Sequence, residues 1–519
     1  MSMFLKKFSS LVNGVLSGFD RIVFKGSILP LMHEAGVASF LRGKKIFNKD
    51  FKGWMTEQTE RIVSHAEEFC QEKTGTPITA IRSSKLRKEE LARDRQKELE
   101  IAEGLLGVWS ATEACTTYKA RFSRTQSFPQ MSREWSKCKH LYFYFDDPSF
   151  GFLNVRLQTW FPYHIQIAMN GREWLCRGLE KAGVGFDRHK NKILSVDDYQ
   201  AAQGLLDLQL DTRWAKTLGQ FLPAVFPDMR AILGPHLGYY WTLWQSEWAT
   251  DHIFSSPRAL ASVGEQLLQH AFITGTGERV LRYLDRPFTN AGSPYLSNAN
   301  EVSSRMLEFQ DGLRVRHWVD ENSVKAYLEQ NVFRVETTIN NPGMFNIYRH
   351  KEGEPKDAPK KLRPMRKGVV DIAVRSKVSQ QINNRLLDRV ATCNCTEPFM
   401  KTLEPISRRH VSKGRIVRGL EATGKDRSAL IAIADPAFAV QGITNKAIRE
   451  KLKAQLSGMT EKQASAKVSR LLRLLRDHGL IRKRPRQRRY VLTTRGATLT
   501  TTLAAALRAS TEELMKMAA

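Results

Sequence analysis

Along the last hundred residues, apolar positions recur at helical spacing. Ala464, Val468, Leu471, Leu472 and Leu475 fall at steps of four, seven, eight and eleven, which is one stripe of an α-helix. Thr460 precedes the stripe as an N-cap, and Gly479 follows it where a left-handed residue ends a helix. Lys467, Arg470, Arg473 and Arg476 lie off the stripe, on the face left for solvent or phosphate. Residues 426–434 read as a short helix, and ITNKAIREKLKAQL reads as another with Thr444 as its N-cap. After Gly479 the pattern changes to a short strand, LIRK, a basic loop over residues 484–489, a return strand over 489–493, and a last helix after Thr494.

The rest of the chain has a different texture. Residues 1–130 show mostly helical periodicity, including 85–106, where charges alternate as on an exposed helix. Inside that region FDRIVFKG reads as a short strand with Asp20 near its start. HLYFYFDD is an aromatic strand ending in Asp146 and Asp147, and FLNVRLQTW with YHIQIAM forms a hairpin around Phe161-Pro162. REWLCRGLEKAG is a helix closed by Gly183. PHLGYYWTLWQSEWATDHIF carries Tyr240, Trp244 and Trp248 at spacing four, as a core helix would; the alternative is a set of rings for stacking on unpaired bases. Residues 312–341 read as strand, turn, strand or short helix, then strand, and 350–368 as an exposed connector leading back into helix. No internal repeat is evident. The expected fold class is α+β and multi-domain: a helical N-terminal region (1–130), a central mixed α/β domain (131–350), a basic helical connector (351–425) and a C-terminal domain (426–519).

Charge sharpens this picture. The chain of 519 residues carries 81 Lys or Arg against 53 Asp or Glu, a net +28. Residues 405–519 hold 25 basic and 8 acidic residues, so +17 of the excess sits in that segment. Such a balance points to a polyanion, most often nucleic acid. No stretch approaches the roughly 20 apolar residues of a membrane span. The N-terminal segment has no continuous apolar core and no small-residue cleavage site, so a signal peptide is not expected. The six cysteines are scattered, which fits reduced thiols and a cytoplasmic location. Cys393 and Cys395 are too close for the usual zinc pair, and no second pair follows.

The segment SRLLRLLRDHGLIRKRPRQRRYVLTTRG resembles the MarR-like winged-helix family, through S-R-x-L-x-x-L-x-x-x-G-L-I from Ser469 to Ile481 and L-T-x-x-G from Leu492 to Gly496. The resemblance implies a recognition helix over about 460–477 that lies in the DNA major groove. It also implies a strand and wing whose Arg482, Lys483, Arg484, Arg486, Arg488 and Arg489 reach phosphates or the minor groove, and a homodimer as one possible assembly. The stretch Asn322-Ser323-Val324-Lys325-Ala326-Tyr327, followed by Arg334-Val335-Glu336, is similar to a segment of rolling-circle plasmid replication initiators, where such strands carry the nicking site. No His-apolar-His metal motif accompanies it.

The chemistry this implies is metal-dependent nicking. Asp20, Asp146 or Asp147, and Glu336 would hold Mg²⁺ or Mn²⁺ against a phosphodiester, and Tyr327 would attack phosphorus. Ordinary roles compete: an ion pair for Glu336, a strand-end cap for Asp20, a half-buried sheet tyrosine for Tyr327. No phosphate-binding Gly-Lys-Ser/Thr loop, Gly-x-Gly-x-x-Gly, His-Glu-x-x-His or Gly-x-Ser-x-Gly motif is present. Two function classes remain. One is a DNA-binding protein of a plasmid or mobile element that initiates replication or nicks DNA. The other is a non-catalytic transcriptional or architectural DNA-binding factor, or an RNA-binding protein, since phosphate contacts alone do not separate the two nucleic acids.

Overall fold

A computed structural model describes residues 2–83, 86–122, 128–275, 277–286, 301–309, 312–351, 353–355, 357–393, 399–412, 414–435, 438, 442–484 and 487–508. Its frame is one sheet of eleven strands among the described residues. In chain order the strands are β1 (Val12–Ser27), β2 (Thr79–Ala80), β3 (Gly104–Arg121), β4 (Gln130–Asp147), β5 (Gly151–Gln158) and β6 (Ile165–Asn170). A side hairpin, β7 (Phe186–His189) and β8 (Lys192–Val196), lies outside the sheet. The sheet resumes with β9 (Tyr240–Phe254), β10 (Val302–Phe309), β11 (Gly312–Val319), β12 (Asn322–Glu329) and β13 (Val332–Ile339). Their order across the sheet is β10-β11-β12-β13-β9-β1-β6-β5-β4-β3-β2, and every pairing is antiparallel except β2 with β3.

The order contains a repeated plan. Each half opens with a long strand, β1 or β9, and continues through helices into a four-stranded meander. The meander's last strand, β6 or β13, returns to pair with the strand that opened the half. A helix follows each meander: Gly171–Ala182 in the first half and, beyond a small hairpin, Ile372–Ala391 in the second. The two opening strands pair with each other, so the halves meet at the β1–β9 seam. The sequence shows no sign of this repeat because the plan fixes strand order and apolar alternation, not residue identity.

Alternation decides the faces. In β12, Val324 and Ala326 point into the core, while Lys325 and Tyr327 point the other way; in β13, Val335 opposes Arg334 and Glu336. Two apolar clusters line the core face. One packs the helices Glu34–Gly43 and Phe51–Thr74 against Phe19, Phe24, Phe143 and Ile167. The other packs Pro257–Thr274 and Ile372–Ala391 against β11, β12 and β13. The opposite face is polar and only partly covered. The helix Lys88–Glu98 crosses it over Trp109, Tyr142 and Tyr144. The helix Tyr199–Asp211 and the β7–β8 hairpin cover its far end over Leu16, Ile253 and Val332.

Residues 1–130 hold the helices Glu34–Gly43, Phe51–Thr74 and Lys88–Glu98, yet two of the longest strands, β1 and β3, also arise there and join the central sheet. The aromatic stretch ending at Phe254 is strand β9 and not a helix. Its spacing-four aromatics mislead because a bulge inserts Trp244 between Leu243, opposite Phe24, and Gln245, opposite Val23. Trp241 and Trp248 fill the core, whereas Tyr240 and Trp244 are exposed. The connector at 350–368 carries part of a small hairpin, Asn346–Arg349 with Lys361–Pro364.

At the C-terminus the helix Asn445–Lys451 is capped by Thr444, and Glu461–Asp477 begins with a reciprocal cap between Thr460 and Gln463. Ala464, Val468, Leu472 and Leu475 are buried and Leu471 is half-buried. Gly479 adopts φ +69°, and the strands Ile481–Lys483 and Tyr490–Leu492 pair antiparallel. Ile443 bridges to Tyr490 beside them. The last helix, Thr494–Arg508, packs on Pro257–Thr274. No helix among the described residues is long and apolar enough to cross a membrane.

Candidate functional site

Asp20 is the extra residue of a bulge in β1. Phe19 faces Trp248 and Arg21 faces Glu247, leaving Asp20 unpaired between them. Bulges re-aim side chains, and here Asp20 and Arg21 line the same cavity on the polar face. Glu336 sits on β13 opposite Ala249 of β9, next to the strand position that carries Glu247. The carboxylates of Asp20, Glu247 and Glu336 thus converge at the seam, with one oxygen from each lying within 4.8 Å of the others.

A buried ionic network holds them. Arg334 donates to Asp251 at 2.5 and 2.8 Å and to Asp20 at 2.7 Å. Arg172 reaches Asp251 at 2.9 Å from the start of the helix Gly171–Ala182. That helix comes so close to β1 that a Cβ on Gly171 would lie 2.0 Å from the Phe19 carbonyl oxygen. Asn191, in the β7–β8 turn, donates to both oxygens of Asp20 at 2.9 Å. Glu336 pairs with Lys325 at 2.6 Å and accepts the Tyr327 hydroxyl at 2.9 Å.

Charge balance within this network is uneven. Four carboxylates, Asp20, Glu247, Asp251 and Glu336, meet three cations, Arg172, Lys325 and Arg334. Burial pushes Glu336 up, but Lys325, Arg334 and the Tyr327 hydroxyl outweigh it and hold its pKa at about 2. Glu247 is the under-compensated member. Burial and the neighbouring Glu336 push it up to about 7, and Lys325 stands 3.9 Å away. Three oxygen ligands of this kind suit a hard divalent cation.

A cavity of about 190 Å³ opens from Asp20 and Glu247 over Arg21, Asn154 and Asn170. It continues into a second of about 530 Å³ over Tyr142, Arg156 and Trp244. The two share Arg21, Glu89 and Asn154, so they form one groove along the sheet. Lys25 and Lys367 stand over the Trp244 ring at 4.6 and 4.5 Å. Burial, then Arg156 and Lys367, lower the Lys25 pKa to about 8, although Glu113 pairs with Arg156 at 2.7 Å and Glu89 and Glu90 also line the groove.

Of the residues expected to form the site, Asp20 and Glu336 come together and Asp146 and Asp147 do not. Asp146 lies on β4, three strands or roughly 14 Å from β1 at about 4.8 Å per strand. It is held by Arg177 at 2.5 Å and Gln96 at 2.7 Å. Asp147 accepts the backbone N–H groups of Ser149 and Phe150 in the turn after β4, as a cap. Tyr327 is buried at 6% exposure, and burial raises its phenol pKa well above 10. It braces Glu336 and is not presented to the groove as a nucleophile. Sequence reasoning missed Glu247, Asp251 and Arg172. For the first two the usable signal was β alternation, hidden by the Trp244 bulge.

On the C-terminal elements, Lys467, Arg470, Arg473, Arg476, Arg482, Lys483 and Arg488 are exposed, and Arg484 and Arg489 are half-buried. Arg486 lies outside the described residues. Lys467 and Arg470 also line a cavity of about 620 Å³ with Arg418 and Lys425. No family model, curated protein or solved structure matches this chain.

Proposed function

We propose that the chain is a DNA-binding protein that cuts or nicks DNA with a divalent metal, as a replication initiator or mobile-element protein does. One observation carries the reading: Asp20, Glu247 and the buried Glu336 converge at the seam, and Asp20 and Glu247 open into a groove lined by Arg21, Arg156, Tyr142 and Trp244 together with Glu89 and Glu90. Mg²⁺ or Mn²⁺ held there would polarise a phosphodiester whose backbone runs along Arg21, Arg156 and Lys25, with Trp244 as a stacking surface. With Tyr327 enclosed, its phenol is not placed to attack; a metal held by Asp20, Glu247 and Glu336 would supply Lewis-acid activation for attack by water.

The C-terminal elements are read as a winged helix. Supporting this are the two capped helices, the Ile481–Lys483 and Tyr490–Leu492 hairpin, and the row of exposed Arg and Lys on Glu461–Asp477. It would bring DNA to the chain through the major groove and phosphates.

A second reading has its own support. Every carboxylate of the seam except Glu247 already has a close cationic partner, so the network would serve as a structural lock in a non-catalytic DNA- or RNA-binding factor.

The test is a nicking assay on supercoiled plasmid and on single-stranded DNA with Mn²⁺, Mg²⁺ or chelator. Metal-dependent product, lost in Glu336→Gln and Glu247→Gln while binding persists, supports the enzyme. Equal cutting by wild type and Glu336→Gln, or binding with no cutting under any metal, leaves the binding factor.

A further inference from the structure

Away from the seam, β3 and β4 place three metal-ligating side chains on the same polar face. Their register sets Glu113 opposite Cys138 and Ala111 opposite His140, with Cys115 diagonal to Cys138. The Cys115 and Cys138 sulfurs are 3.2 Å apart. His140 Nδ1 lies 4.0 Å from Cys138 Sγ and 3.2 Å from the Cys138 carbonyl oxygen. One ligand atom from each of the three lies within 4.8 Å of the others.

These spacings discriminate between two uses of a cysteine pair. A disulfide needs sulfurs about 2.05 Å apart. Two thiolates on a tetrahedral zinc, each at about 2.3 Å, stand roughly 3.7 Å apart. The observed separation is nearer the second. Cys138 and His140 are buried, while Cys115 is half-buried and leaves a route inward.

We infer that Cys115, Cys138 and His140 form a second metal site, for a zinc-class divalent cation bound by two thiolates and one imidazole. Metal binding to thiols displaces their protons, so affinity should fall on acidification. Sulfur and nitrogen donors select zinc-class ions over Mg²⁺, so this site and the all-oxygen seam sort different metals. Three protein ligands leave a fourth position for solvent or an incoming group.

The experiment uses the full chain, reduced and stripped with chelator, titrated with Co²⁺ as a spectroscopic stand-in for zinc. The expected result is a thiolate-to-cobalt absorption in the near ultraviolet that saturates at one equivalent and is displaced by Zn²⁺. Cys115→Ser, at the half-buried position and checked for folding by circular dichroism, should abolish the thiolate band or weaken binding about 100-fold or more. Glu336→Gln should leave the band intact, which separates this site from the seam. Absence of a thiolate band, a band unchanged in Cys115→Ser, or conversion of both thiols to a disulfide that leaves no metal affinity after reduction would each overturn the proposal.

Discussion

Replacing Arg334 by Met tests the central claim about what holds the seam together. Arg334 and Asp251 are each 0% exposed. Two cations, Arg334 and Arg172, balance two carboxylates, Asp20 and Asp251; after the substitution Arg172 faces both carboxylates alone. Removing one partner of a buried pair costs about 3–5 kcal/mol, because a charge is left buried without compensation. At about 2–4 °C per kcal/mol, the melting temperature should fall by roughly 6–20 °C.

The pH dependence gives a second handle on the same claim. Burial alone would push Asp251 up, but Arg334 and Arg172 bring it below the usual carboxylate range. In the intact protein its stabilisation is therefore fully present above the unfolded pKa of about 3.9, and is lost as pH falls through the lower folded value. In Arg334→Met, burial dominates and the folded pKa rises above 3.9. The carboxylate then costs stability at neutral pH and is relieved by protonation on acidification. The deficit relative to wild type should therefore shrink between pH 7 and pH 4.5. Thermal unfolding followed by circular dichroism at both pH values measures it. Adding Asp251→Asn should restore part of the loss at pH 7, by about 1–2 kcal/mol, because one carboxylate again faces one cation. A melting shift under about 3 °C, or a deficit of equal size at both pH values, would refute the account.

Because Glu247 titrates near 7 and a metal binds only its ionised form, Mn²⁺ affinity at the seam should rise up to about tenfold per pH unit below 7 and level off above, with Glu247→Gln removing the slope in calorimetric titrations. Thr460→Ala breaks the reciprocal cap of Glu461–Asp477 and should cost about 1 kcal/mol, read by thermal unfolding. If Arg473 and Arg482 contact DNA phosphates, neutralising both should weaken binding across all sequences and reduce the salt slope by about 2, measured by anisotropy. Gly171→Ala sets a methyl against the Phe19 carbonyl; it should lower the melting temperature and, by displacing Asp20, weaken metal binding more than it changes DNA binding.

What was legible in the sequence follows from the physics of each element. The C-terminal helices could be read residue by residue, since Thr444, Thr460 and Gly479 mark their ends and the stripe from Ala464 to Leu475 marks the buried face. The β11–β13 meander is legible in part: the pattern marks its outer strands and the turn at 320–321, while the middle segment reads as strand or short helix and is strand β12. Of the long strands, β1 reads as strand only over residues 19–26 and β9 reads as a helix, because bulges in each break the two-residue period. Convergence of Asp20 with Glu336 was guessed from residue type. Which third carboxylate joins them depends on strand order, and strand order is set by pairings between residues far apart in the chain. Asp146 was a sound choice by chemistry and fails by topology.

The seam also carries a consequence for how the protein is made. Val12 pairs with Phe254, and β1 has no other neighbour on that side. At about 5–20 residues per second, a ribosome needs on the order of ten to fifty seconds to supply that partner. Meanwhile the first meander can close through β6, leaving the 16-residue β1 as a bare edge with its backbone groups unpaired. Such an edge is a template for pairing with other chains, so the half-made protein is at its most aggregation-prone just before β9 emerges. The bulges at Asp20 and near Val12, which serve the finished site, also interrupt that edge during the wait.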